Sequence, residues 1–181
     1  MSLPPTPSQT VGPFYGYALP FPGGAEIAPA GHPGTITVHG YVTDGNGDPV
    51  PDALLEVWQG GGRPGSMRRD PVTGGFLGRN GVDFTGFGRV PTDADGHWAI
   101  RTLPPSDTPY LSVCLFARGL MHHLFTRAYL ADAEAVTDPL LDGLPPERRS
   151  TLVAVPDGER SYRFDIRVQG GKETVFLDFH G

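Results

Sequence analysis

Thr35-Ile36-Thr37-Val38-His39-Gly40-Tyr41-Val42-Thr43-Asp44-Gly45-Asn46-Gly47-Asp48-Pro49-Val50-Pro51-Asp52-Ala53-Leu54-Leu55-Glu56-Val57-Trp58-Gln59 reads as strand, turn and strand. Ile36, Val38 and Gly40 alternate with Thr37, His39 and Tyr41, the period of two that turns one face to a core and the other to water. Asp44 to Pro51 is turn chemistry, rich in Asp, Gly, Asn and Pro, and Ala53 to Gln59 is the returning strand.

The same grammar extends outward. Phe87 to Thr92 and His97 to Leu103 flank Asp93-Ala94-Asp95-Gly96, which predicts a hairpin with glycine where a positive φ is wanted. Tyr110 to Ala117 and His123 to Leu130 are further strands, and Ser150 to Val155 resumes β character. Tyr162, Phe164, Ile166 and Val168 alternate with Arg163, Asp165, Arg167 and Gln169, and Gln169-Gly170-Gly171-Lys172 turns that strand into Thr174 to Phe179 as a C-terminal hairpin. Gly60 to Gly86 is a long glycine-rich loop with Arg63, Arg68, Arg69 and Arg79, and the only helical candidates, both short, fall between Ala131 and Arg149. About eight strands without βαβ alternation predict an all-β domain, a two-sheet β-sandwich, over residues 35–181.

Residues 1–34 hold eight prolines and no regular period, so neither a helix nor a ladder strand is expected there. Phe14, Tyr15, Tyr17, Leu19 and Phe21 are too apolar for a solvated tail. An N-terminal arm lying in a groove, on this sandwich or on a partner, is the better expectation.

Bulk properties narrow the function. At 181 residues the chain suits one domain with a real core. Its 26 glycines and 20 prolines sit between apolar runs, as punctuation between strands. A formal net charge of −6 argues against nucleic acid or an anionic membrane as partner. The N-terminus lacks a basic stretch followed by an apolar run, and the one cysteine, Cys114, cannot form an internal disulfide, so a cytoplasmic protein with an inert core thiol is expected.

Several chemical motifs fail. Asp44-x-Asn46-x-Asp48 opens like a calcium loop but lacks the sixth-position glycine and the later bidentate Glu, and Asp93-x-Asp95-Gly96 is shorter still. His122 and His123 are neighbours, so on a strand they point to opposite faces and cannot chelate one ion. Ser8 and Ser66 have no nearby His and acid in sequence to suggest a triad. Gly60-Gly61-Gly62 lacks the lysine and hydroxyl of a phosphate loop.

Four segments carry a resemblance: Thr6-Pro7-Ser8-Gln9-Thr10-Val11-Gly12-Pro13-Phe14, Leu55-Glu56-Val57-Trp58-Gln59, Leu115-Phe116-Ala117-Arg118-Gly119, and Tyr162-Arg163-Phe164-Asp165-Ile166-Arg167-Val168-Gln169-Gly170. Together the chain resembles the intradiol ring-cleaving dioxygenases, and among them the alpha chains of the two-subunit enzymes. That resemblance implies a prealbumin-like β-sandwich. It also implies a family chemistry in which two tyrosines and a His-x-His pair hold ferric iron. Residues two apart on a strand share a face about 6.5–7 Å apart, which suits such a pair.

This chain has no His-x-His. By the resemblance, Tyr110 and Ser112 stand where the imidazoles would be. Pro64 follows Gly62-Arg63 where one ligand tyrosine would follow, and the loop of the other shortens to Leu103–Pro109, without tyrosine. The resemblance therefore implies no metal in this chain. Fe(III) would reside in a homologous beta subunit, and the two chains together would cleave protocatechuate with O2 to 3-carboxy-cis,cis-muconate, in the β-ketoadipate pathway of aromatic catabolism. Thr10, Gly12, Pro13 and Arg118 would line one wall of that partner's site. Read on their own, Thr10 caps a turn, Gly12-Pro13 redirects the arm and Arg118 pairs with a partner carboxylate. An alternative class is a prealbumin-like binding or interaction module without catalytic role, since the Gly40-x-Val42-x-Asp44 and Gly47-x-Pro49-Val50-x-x-Ala53-x-x-x-Val57 spacing also looks like the repeats of secreted adhesins.

Overall fold

The computed structural model describes residues 6–63, 66–130 and 138–179. Strand β1 (Ile36–Thr43) centres one sheet. It runs antiparallel to β6 (His97–Thr102) and, on its other side, parallel first to β10 (Ser161–Arg163) and then to β11 (Ile166–Arg167). A short edge strand, β9 (Val155–Pro156), pairs with β10. The facing sheet has the order β5 (Phe87–Pro91), β2 (Leu54–Trp58), β7 (Tyr110–Phe116), β8 (Leu124–Tyr129), every pair antiparallel.

The predicted alternation sets the packing. Burial along β1 alternates residue by residue, and Ile36, Val38 and Val42 join Trp98, Ile100, Phe164 and Ile166 on the inner face. Leu55, Val57, Val90, Leu111, Val113 and Leu115 meet them from the facing sheet. Each such side chain contributes about 1.5–3 kcal/mol when fully buried, so this layer holds the two sheets together. Tyr129, Leu141, Leu152 and Val175 form a second cluster, under α2 (Pro139–Asp142) and the 3-10 turn Ser150–Leu152.

The parallel ladder keeps one register across the gap between β10 and β11: His39 faces Arg163, and Val42 faces Ile166. Between them the Phe164 N–H donates to the His39 carbonyl at 2.7 Å, and the Tyr41 N–H donates to the Asp165 carboxylate at 3.1 Å. The backbone closes in so tightly here that a Cβ on Gly40 would lie 1.9 Å from the Phe164 carbonyl oxygen.

Two predicted turns, the second of them read as a hairpin, change sheets. Asp44 accepts the N–H groups of Asn46 and Asp48, closing the first turn, yet β1 and β2 meet only at the bridge between Thr43 and Pro49 and then join opposite sheets. Asp93 accepts from Asp95 and His97 in the same way, and β5 and β6 also part. Turn residues specify a reversal of the chain and not the sheet that the next strand enters. That choice follows from which core face each apolar row must cover. The same carboxylates that mimicked calcium loops are thereby occupied with backbone N–H groups.

The C-terminal hairpin starts as expected, with the Thr174 N–H on the Arg167 carbonyl, but Leu177 then donates to Phe125 and the segment joins the edge of β8. Within the loop 60–86, β3 (Met67–Arg69) and β4 (Phe76–Arg79) form a ribbon that the glycine content concealed. The arm also departs from expectation. Tyr15–Ala18 makes one helical turn, α1, and Glu26 bridges Arg101 at the edge of the first sheet. Both fall in the proline-free intervals 14–19 and 23–28, where no missing N–H or ring clash opposes them. The predicted helical stretch yields α2 and α3 (Pro146–Arg149), while its residues 131–137 lie outside the described residues. No helix among the described residues is long and apolar enough to cross a membrane.

Candidate functional site

Hydrogen bonds fasten the arm to the sandwich at several points. The buried Tyr15 hydroxyl donates to the Asp52 carbonyl, Arg89 Nη1 donates to the Leu19 carbonyl at 2.9 Å, and the Gly119 N–H donates to Thr10 Oγ1 at 2.9 Å. Burial, then the charge of Asp52, raises the Tyr15 pKa above its ordinary value, so this hydroxyl stays a donor. Asp52 also takes Arg118, whose Nε lies 2.7 Å from the carboxylate while the guanidinium side chain is 61% exposed. The aspartate thus anchors both the arm and the arginine.

Thr10 and Arg118 are therefore brought together at the turn that follows β7. Gly12, at φ +70°, gives the arm a left-handed residue just before the exposed Pro13. Beside them lies a cavity of about 260 Å³ lined by Ser8, Gln9, Val11, Leu120, Met121 and His123. Ser8, which has no histidine near it in the sequence, has its Oγ 3.3 Å from His122 Nδ1, a further tie between the arm and the turn before β8. Both His122 and His123 lie in that turn, ahead of β8 and not on it, and are exposed. Phe14 and Tyr17, 79% and 88% exposed, stand along the same arm.

The strand on which the resemblance places the family's His-x-His positions is β7. Its outer face carries Tyr110 and Ser112, with Tyr129 and Arg127 directly across on β8. The Arg127 guanidinium lies 4.1 Å from the Tyr110 ring centroid. Its Nη1 donates to Asp138 Oδ2 at 3.1 Å and to the Tyr129 hydroxyl oxygen at 3.4 Å. The Tyr129 hydroxyl donates to the same carboxylate at 2.9 Å, and Asp138 caps α2 by accepting from the Leu140 N–H.

This donor set does not fit ferric iron. A guanidinium cannot ligate a metal, and its charge opposes a cation beside Tyr110. Pro64 lies outside the described residues. Among the described residues no group of three or more His, Cys, Asp or Glu side chains is placed to hold a metal ion.

Burial pushes the Tyr129 phenol up to about 12, and burial with the Glu56 charge pushes the Cys114 thiol up to about 12. The ordinary values of these groups are 10.0 and 9.0. Both folded values are raised, so the stability these groups contribute is complete below pH 9 and is lost as pH rises toward 12. Urea midpoints measured upward from pH 8 should stay level and then decline steadily above about pH 9, and a profile flat to about pH 11 would contradict these burials.

Sequence reading missed Arg127, Tyr129, Asp138 and Asp52. One signal was available: Arg127 interrupts the run Leu124-Phe125-Thr126-Arg127-Ala128-Tyr129, and a cation within a largely apolar strand calls for a partner.

Comparison with known proteins gives the family of the chain. The dioxygenase family model matches residues 12–114. The protocatechuate 3,4-dioxygenase alpha chain of Burkholderia cepacia is 39% identical over 202 residues, covering 98% of each chain. The beta chain from the same organism is 28% identical over 158 residues, covering 77% of this chain and 66% of that one. The dioxygenase domain of a carbohydrate-binding fusion from Streptomyces sp. SirexAA-E shares the fold, with a TM-score of 0.54 and 23% identity over 93% of this chain and all of that one. A matching family model over more than half its length, and an end-to-end relative at this identity, make the chain a member of the intradiol ring-cleavage dioxygenase family.

Proposed function

We propose that the chain is the metal-free alpha subunit of a protocatechuate 3,4-dioxygenase. It acts in the cytoplasm as an obligate partner of a homologous beta subunit that holds Fe(III). The observation that carries this reading is the end-to-end identity with an alpha chain, whereas the beta chain matches more weakly and over less of its length. A donor set unfit for iron at Tyr110, Ser112 and Arg127 supports it. Together the two chains open the ring of protocatechuate between its hydroxyl-bearing carbons, with O2, to 3-carboxy-cis,cis-muconate.

In this reading Thr10, Gly12, Pro13 and Arg118 form one wall of the partner's site. Asp52 engages Nε of Arg118, which leaves the exposed end of the guanidinium for the substrate carboxylate, a charge-assisted contact. Thr10 Oγ1 already accepts from Gly119, so its hydroxyl proton is available to donate toward the ligand. Gly12-Pro13 brings backbone, without a side chain at Gly12, close to the ring.

Purified alone, the chain should turn over no protocatechuate, and co-expression with a beta chain should give an active hetero-oligomer that consumes O2. Ring cleavage by the isolated chain would overturn the reading, as would failure to co-purify with the beta chain of its own organism.

A further inference from the structure

The outer face of the second sheet carries a cavity of about 340 Å³, lined by Trp58, Ser112, Cys114, Phe125, Arg127 and Phe179. Strand register builds its floor: Trp58 pairs with Ser112, and Ser112 with Arg127, so an indole, a hydroxyl and a guanidinium form one row across β2, β7 and β8. Strands lie about 4.8 Å apart, so the row spans roughly 10 Å, the length of one aromatic ring with a carboxylate and its contacts. The C-terminal segment supplies the opposite wall, held by the bridge between Phe125 and Leu177, and Phe179 packs edge-on against Phe125 at 5.2 Å.

The polar end of the cavity is set for an anion. Asp138, the Tyr129 hydroxyl and the Tyr110 ring fix the guanidinium from one side, and all its hydrogen bonds to described residues use Nη1. Nε and Nη2 have no partner among the described residues, and that edge of the fork matches a carboxylate bidentately. The Ser112 hydroxyl, one strand away, likewise has no partner among the described residues. Trp58 packs against Phe87 on the β5 side at 4.3 Å and is still 50% exposed, which leaves indole surface for a planar ring.

We infer that this cavity binds a small planar aromatic carboxylate, its carboxylate on Arg127 and Ser112 and its ring over Trp58. The site is built from this chain alone and needs neither iron nor a partner. Its failure would leave the alpha-subunit reading standing, and the converse also holds.

The full chain has two tryptophans, which makes the test direct. Benzoate titrated into 15N-labelled chain should move the Trp58 indole N–H signal saturably and leave that of the buried Trp98 in place. Benzamide, planar but uncharged, should bind at least tenfold more weakly. Arg127→Lys keeps the charge opposite Asp138 but loses the fork, and should weaken benzoate about tenfold. Ser112→Leu fills the cavity and should abolish the shift. An unchanged Trp98 signal certifies the fold of each variant. The inference is overturned by a Trp58 signal that never saturates, by equal affinity for benzamide, or by binding that survives Ser112→Leu.

Discussion

Gly40→Ala is expected to destabilise the folded chain by about 3 kcal/mol or more, a drop in Tm of roughly 6–12 °C for a chain of this size. The added methyl would sit 1.9 Å from the Phe164 carbonyl oxygen and 2.5 Å from its carbon. Both are backbone atoms, so no rotamer change relieves the overlap. The chain at Phe164 must move off β1, and with it go the 2.7 Å bond to His39 and the buried Phe164 ring. Phe164→Ala empties the space of that ring without moving the carbonyl, so the double variant should be no more stable than Gly40→Ala alone. Thermal unfolding of the three variants checks this, and a Tm for Gly40→Ala within a degree or two of the parent would refute the close approach.

Arg118→Ala in the assembled enzyme is expected to lower kcat/KM for protocatechuate by about 10- to 100-fold, the worth of one charge-assisted hydrogen bond of about 1.5–3 kcal/mol. A guanidinium that grips the carboxylate equally before and during the reaction acts through KM, so kcat should change least. Arg118 is 61% exposed and its pair with Asp52 is a surface one, so Tm should hardly move. Arg118→Lys should recover part of the loss. Kinetics indistinguishable from those of the parent complex would remove Arg118 from the wall.

Much of the fold was legible because inward apolar rows, such as Ile36, Val38 and Val42 or Phe164 and Ile166, impose a period of two whatever their neighbours do. Sheet membership was not. Asp44 and Asp93 write the same local turn that a hairpin would use, and only the completed core decides that β2 leaves β1 and β6 leaves β5. The arm was half legible. Its aromatic residues announced a surface to cover, and Tyr15 and Phe21 are indeed buried against this sandwich, whereas Phe14 and Tyr17 remain outward.

For the proposed wall, the sequence motifs singled out Thr10 and Arg118, residues separated by most of the chain, and the bond from Gly119 to Thr10 brings them to one turn. Asp52, which orients Arg118, carried no signal beyond its place in a turn. The lack of a His-x-His pair around Tyr110 and Ser112 was readable in the sequence itself. The guanidinium beside them was not, because the pairing of Arg127 with Ser112 is a matter of register and Asp138 lies beyond the strand.

Elemental analysis bears most directly on whether this polypeptide owns a metal centre. The chain should be expressed without a beta partner in iron-rich medium, purified and desalted. Iron far below one atom per chain, with no visible tyrosinate-to-iron absorption, is the result expected. One tightly held iron per chain would contradict it.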